Sequence, residues 1–91
     1  MSTPNGRAFR IGGDEFAIVF ECLNDDEARR VGWELQSRAR GRLGTTLSIG
    51  LAIAAPHETD EQLVARADAA LYEVKRRGRD GVLVAPGTTS A

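Results

Sequence analysis

The chain has 91 residues, enough for one small domain, and its 12 Lys and Arg nearly balance its 13 Asp and Glu for a net charge of −1. That balance leaves no broad basic footprint for DNA or RNA and no acidic tail, and no apolar run approaches the ~20 residues of a membrane span. With Cys22 as the single cysteine an internal disulfide is excluded, and the N-terminus lacks a signal peptide's apolar core; both features suit a cytoplasmic protein.

Residues 1–6 are polar, with Pro4 and an Asn5-Gly6 pair, and read as a loose lead-in. A short strand is predicted over residues 7–11. A second follows over residues 16–20, where Phe16, Ile18, Val19 and Phe20 favour extended backbone. The four residues between them, Gly12 to Glu15, have hairpin length and include glycines able to take positive φ. Cys22 ends this strand and reads as a small buried hydrophobe.

A helix should start at Asn24, which can cap while Glu27, three residues on, reaches back. Ala28, Val31, Leu35 and Ala39 then recur at helical spacing. Asp25, Asp26 and Glu27 sit in the first turn and Arg38 and Arg40 near the end, as the helix dipole favours. Gly41 or Gly44 should close the helix. Trp33 lies off its apolar stripe, either over a sheet edge or at a partner contact.

Residues 45–54 alternate. Leu47, Ile49, Leu51 and Ile53 share one face, and Ser48, Gly50 and Ala52 line the other. The second face is small rather than charged, so a close-packed neighbour is expected there. Pro56 and His57 mark a loop, with His57 at the surface. Thr59 and Gln62 make a capping box, and Leu63, Ala67, Ala70, Leu71 and Val74 form an apolar stripe. Gly78 is the expected C-cap, residues 82–84 a last strand, and residues 86–91 a frayed tail. The order strand, strand, helix, strand, helix, strand implies an α+β (α/β-like) fold with helices flanking a mixed sheet.

The stretch with the most chemistry is Gly12-Gly13-Asp14-Glu15. Glycines let the backbone approach a phosphate or a purine edge, and carboxylates supply the hard oxygens that magnesium takes together with water and substrate phosphates. Neighbouring strand residues point to opposite faces, so Asp14 and Glu15 share one ion only if the turn twists them together. Taken by itself such a tetrapeptide is most often just a turn. The basic cluster Lys75, Arg76, Arg77 and Arg79 likewise complements a helix dipole without any ligand.

Arg10-Ile11-Gly12-Gly13-Asp14-Glu15-Phe16 resembles the signature loop of GGDEF domains, the diguanylate cyclases. Leu47-Ser48-Ile49-Gly50-Leu51-Ala52 resembles the family's next strand. Ala67-Asp68-Ala69-Ala70-Leu71-Tyr72-Glu73-Val74-Lys75, followed by Gly78-Arg79-Asp80, resembles its last helix and exit. The three motifs stand in order and span nearly the whole chain, from residue 7 to residue 84.

The resemblance implies a partial nucleotidyl-cyclase-like fold and a role in condensing two GTP into cyclic di-GMP with magnesium, or manganese in its place. It implies Gly12 and Gly13 against the nucleotide, Asp14 and Glu15 as catalytic and metal-binding carboxylates, and Lys75 and Arg79 on the terminal phosphates; Arg76 and Arg77 are left to solvent and Asp68 to a structural part. It also implies that residues 7–85 are the C-terminal part of a longer domain, whose first half would bring a central strand, a metal-binding Asp and the guanine-reading side chains. From this follow two expectations: no cyclase activity in the 91-residue chain alone, and a homo-oligomer or a partner segment filling the place of the central strand. The alternative is an inactive remnant that binds a nucleotide weakly or a protein partner. The family's product-inhibition motif, Arg-x-x-Asp, is replaced here by Thr3-Pro4-Asn5-Gly6, which removes both charges.

Overall fold

Each helix begins with a reciprocal cap written in its first four residues. In the computed structural model, which describes residues 6–20 and 24–86, Asn24 Oδ1 accepts from the Glu27 amide at 2.8 Å and Glu27 Oε1 accepts from the Asn24 amide at 3.3 Å. Thr59 and Gln62 repeat the exchange at 3.1 and 3.0 Å. These bonds satisfy amides that a helix start would otherwise leave bare.

The elements run β1 (Gly6–Gly12), β2 (Glu15–Phe20), α1 (Asp25–Leu43), β3 (Ser48–Ile53), α2 (Asp60–Arg76) and β4 (Gly81–Val84). One mixed sheet has the order β1-β2-β3-β4. The hairpin pair β1–β2 is antiparallel, and β2–β3 and β3–β4 are parallel. This is the α+β arrangement expected from the pattern. Among the described residues no helix is long and apolar enough to cross a membrane.

The sheet has a helix on each face. Ala28, Val31 and Leu35 of α1 pack with Ile18, Phe20, Ile49 and Leu51, while Leu63, Ala67 and Ala70 of α2 pack with Ala17, Val19 and Ala52. The small face of β3 has the reason the sequence suggested. A Cβ at Gly50 would lie 2.2 Å from the Ala67 carbonyl oxygen and 2.3 Å from the Leu71 amide nitrogen. Only glycine lets the α2 backbone come that close.

Some boundaries differ from the sequence reading. Gly6 belongs to β1, paired with Phe20, rather than to a loose lead-in. Residues 1–5, Cys22 and the tail at 87–91 lie outside the described residues. Gly41 sits inside α1, and Gly44, in the left-handed region at φ 64°, closes the helix. At the end of α2 the cap is Arg77, and Gly78 follows it at φ 107°. The hairpin loop is shorter than the four residues expected. Gly12 pairs with Glu15, so Gly13 and Asp14 alone make the turn, and neither Gly12 nor Gly13 takes positive φ. A register shift between Arg10 and Gly12 accommodates Ile11, which is left exposed.

The largest difference concerns the vacant central place. β2 and β3 pair directly, in parallel, from Glu15↔Ser48 to Phe20↔Ile53. No gap stands open between the hairpin and the later strand for a partner segment to fill. Unpaired strand edges carry rows of unsatisfied amides and carbonyls, and two strands apolar on both faces satisfy each other's. The sheet's outer edges are those of β1 and β4.

Candidate functional site

The hairpin turn is anchored to the start of β3. The Ser48 amide donates to the Asp14 carbonyl at 2.9 Å. This holds the turn beside the C-terminal end of α2 and the loop before β4. Glu15, the first residue of β2, keeps only 13% of its side chain exposed and faces two cations. Lys75 Nζ, from the last turn of α2, lies 3.4 Å from Glu15 Oε1, and Arg79 Nη1 donates to Oε2.

The Arg79 hydrogen bond, and after it the charge of Lys75, hold the Glu15 carboxyl below its usual value against the opposing effect of partial desolvation. Glu15 is therefore a carboxylate at neutral pH. Its place at the turn also explains Gly12. A Cβ there would stand 2.6 Å from Glu15 Oε1, so the carboxylate would have to shift to admit it. At Gly13 a Cβ would meet nothing within 4 Å, so the protein's own packing does not call for glycine.

The structure thus brings Gly12, Glu15, Lys75 and Arg79 to one place. Asp14 is half-buried at the tip, and the bond that fixes it runs through its backbone. Arg76 and Arg77 are exposed and turn to Glu73, at 2.8 and 4.0 Å. Asp68 is exposed on the rim of a groove between β1 and α2 that Phe9, Ile11 and Val64 also line. His57 is exposed in its loop. Trp33, 47% exposed, lines a surface pocket together with Val82 and Leu83 of β4.

Four residues outside the sequence reading of the site, Gln36, Arg40, Ser48 and Asp80, brace it. Arg79 and Asp80 both adopt left-handed backbone, at φ 66° and 53°, which costs a non-glycine residue roughly 1 to 2 kcal/mol. Asp80 is held in that state from three sides. Gln36 Nε2 donates to its Oδ1 at 2.8 Å, and Arg40 Nη2 donates to both carboxylate oxygens at 2.6 and 2.7 Å. The Asp80 amide donates to Ser48 Oγ at 3.2 Å. Gln36 and Ser48 are buried, and Gln36 also donates to the Leu47 carbonyl at 3.0 Å. The one sequence signal for this was Gln36 itself, a polar side chain beside Leu35 on the inward side of α1.

No group of three or more His, Cys, Asp or Glu side chains that could hold a metal occurs among the described residues. The donors at the turn are the carboxylates of Asp14 and Glu15. Magnesium takes one or two carboxylates and completes its shell with water and substrate phosphates, so this donor set fits a nucleotide-bound ion better than a cage built by protein alone. Glu15 already pairs with Lys75 and Arg79, so such an ion would compete with them for its oxygens.

The family described as diguanylate cyclase, GGDEF domain, matches residues 1–81. The chain is 34% identical over 80 residues to diguanylate cyclase DgcZ of Escherichia coli K12, covering 79% of this chain and 27% of that protein. It is 41% identical over 83 residues to diguanylate cyclase DosC of the same organism, covering 81% and 18%. It is 32% identical over 80 residues to the bifunctional diguanylate cyclase/cyclic di-GMP phosphodiesterase MucR of Pseudomonas aeruginosa, covering 79% and 12%. The chain therefore spans little more than a quarter of the first of these relatives and less of the others. No solved structure matches it. With the family matched over most of its length, the chain belongs to the diguanylate cyclase GGDEF domains.

Proposed function

We propose that the Gly12–Glu15 turn, Lys75 and Arg79 form part of a GTP site, and that this segment serves a diguanylate cyclase. The observation that carries the reading is the convergence of Lys75 and Arg79 on a carboxylate at the turn. Two cations from different elements around one anion make an anion seat, and a triphosphate is an anion of matching chemistry.

In the reaction each ribose 3′-oxygen attacks the α-phosphorus of the partner GTP. The 3′-proton is lost, the bond to the bridging oxygen breaks, and pyrophosphate leaves; two such steps give cyclic di-GMP and two pyrophosphates. Phosphoryl transfer of this kind depends mainly on positioning and charge stabilisation. Lys75 and Arg79 hold the terminal phosphates and steady the charge that gathers on the leaving group. Gly13 lets the backbone lie against the nucleotide. Asp14 and Glu15 hold magnesium, or manganese, which when bound supplies charge neutralisation at the phosphates. When the phosphates take Lys75 and Arg79, the Glu15 carboxylate is released from them. A second copy facing the turn brings the second GTP. The cytoplasm, with its GTP pool, is the compartment this chemistry needs.

The 91-residue chain by itself does not turn over GTP on this reading, because its site holds few metal-binding carboxylates and each group of this kind is worth about 10² to 10³ in rate. The direct β2–β3 pairing favours a second reading for the isolated chain, a closed module that binds nucleotide weakly without chemistry. Calorimetric titration of the 91-residue chain with GTP and magnesium chloride tests both. Binding that weakens in Lys75→Ala and loses its magnesium dependence in Asp14→Asn supports the site. A wild-type chain that binds no GTP overturns it, and steady cyclic di-GMP production overturns the inactivity of the chain alone.

A further inference from the structure

Lys75 stands on a regular helix, which fixes its direction. Arg79 stands on a loop between α2 and β4, in left-handed backbone, with a second left-handed residue after it. Two consecutive non-glycine residues in that region do not persist unless their surroundings over-determine them. The Arg79 amide is tied to the Val74 carbonyl at 2.9 Å, which fixes one end of the pair. The other end is fixed entirely through Asp80.

Asp80 draws on two distant elements at once. Its carboxylate collects Gln36 and Arg40 from α1, and its amide reaches the Ser48 hydroxyl at the start of β3. Ser48 is the residue whose own amide holds the Asp14 carbonyl. One short chain of bonds therefore connects α1, Asp80, Ser48 and the signature turn, with Arg79 immediately before Asp80. The two sides of the anion seat, the turn and the Arg79 loop, are referenced to the same serine.

We propose that Asp80 is a positioning residue: gripped by Gln36, Arg40 and Ser48, it locks the left-handed Arg79–Asp80 pair so that the Arg79 guanidinium is presented to the turn and to a bound triphosphate. The proposal rests on Arg79 serving as a phosphate cation. The Asp80 carboxylate and amide bond to Gln36, Arg40 and Ser48, so it acts through Arg79. Buried and partly buried networks of this sort specify one conformation when every member is satisfied, and among the described residues no buried side-chain polar atom lacks a partner.

The test compares wild type, Asp80→Gly, Asp80→Asn and Arg79→Ala in the 91-residue chain. Glycine keeps the left-handed backbone without strain and removes the carboxylate, so the variant separates the grip from the fold. Asparagine keeps an acceptor for Gln36 and tolerates the same backbone. The first readout is the ¹⁵N relaxation of the Arg79 Nε–Hε group. Wild type and Asp80→Asn should show an ordered guanidinium, and Asp80→Gly a mobile one with the rest of the amide spectrum intact. The second is the dissociation constant for GTP with magnesium chloride. Arg79→Ala and Asp80→Gly should each weaken binding about tenfold, the loss expected for one charge-assisted phosphate contact. The double variant should be no weaker than Arg79→Ala alone.

An ordered Arg79 in Asp80→Gly, or losses that multiply in the double variant, overturns the proposal. Should Asp80→Gly fail to fold, Gln36→Leu, which removes one donor from the grip and keeps the buried volume, must loosen Arg79 or the proposal fails. A mobile Arg79 in Asp80→Gly alongside GTP binding indifferent to Arg79→Ala sinks instead the phosphate role of Arg79 and leaves the positioning intact.

Discussion

Arg79 donates to Glu15 across 64 positions of sequence, and Lys75 stands 3.4 Å from the same carboxylate. The first residue of β2 thus fills the seat that the triphosphate is proposed to take. A carboxylate and a phosphate compete for such cations on similar terms, since both accept charge-assisted hydrogen bonds from guanidinium and ammonium groups.

Glu15→Gln should therefore have opposite effects on two ligands. Pyrophosphate without metal should bind the variant about three- to tenfold more tightly, because the seat loses its resident negative charge. GTP with magnesium should bind more weakly, because a carboxylate oxygen is lost from the ion. Calorimetric titration with each ligand reads both. Equal changes of the same sign for the two would show that Glu15 does not exchange between cations and metal.

Gly13→Ala separates binding from folding. The added Cβ meets nothing within 4 Å in the protein, and Gly13 does not take positive φ. Thermal stability should change by less than about 0.5 kcal/mol, as at an unencumbered surface site. GTP binding should weaken if the nucleotide lies against this backbone. A variant that binds GTP as wild type does would remove Gly13 from the site.

Two glycine-to-alanine changes should move stability in opposite directions. Gly50→Ala places a Cβ 2.2 Å from the Ala67 carbonyl oxygen, and neither backbone can give way without separating α2 from the sheet. A loss of at least about 3 kcal/mol in chemical denaturation is expected, at or beyond the upper end of ordinary overpacking. Gly41→Ala lies on the exposed side of α1 with nothing within 4 Å, and should gain about 0.5 to 1 kcal/mol through helix propensity. A tolerated Gly50→Ala would mean that α2 does not pack where the structure has it.

Acid should weaken the molecule through Glu58. Hydrogen bonds from Arg66, then the Ala55 amide and the Arg66 charge, hold its carboxyl at about 2, down from 4.5. Arg66 donates to both Glu58 oxygens, at 2.7 and 2.8 Å, and also to the carbonyls of Ile53 at 2.5 Å and Pro86 at 3.0 Å. It thereby joins the loop before α2 to the segment after β4. Because the folded value is depressed, this contribution is complete above about pH 4.5 and is lost as pH falls toward 2. Glu58→Gln should lose about 1 to 3 kcal/mol at neutral pH, the worth of charged hydrogen bonds. As pH falls to about 2 its melting temperature should converge on that of wild type. Melting curves across that range check it; a gap that stays constant with pH would place the stabilisation elsewhere.

The local signals in the sequence carried a long way. Asn24 with Glu27 and Thr59 with Gln62 start the helices they announced, because a cap is a contact among residues three apart. The alternation of residues 47–53 sorted two faces correctly, because a strand's side chains alternate whatever lies around it. The glycine pair was the weaker reading. Its glycines are able to take positive φ, whereas the turn bends without left-handed backbone and a Cβ at Gly12 would crowd only the Glu15 side chain.

Sequence by itself determined the elements, the two apolar faces and the family, since each depends on residue type at short spacing. Tertiary structure alone decided that β2 lies directly beside β3, that Glu15 sits between Lys75 and Arg79, and that Asp80 is gripped from α1 and β3. Those are contacts between residues far apart in the chain. No local pattern encodes them, because they are settled by which edges and charges find one another when the whole chain packs.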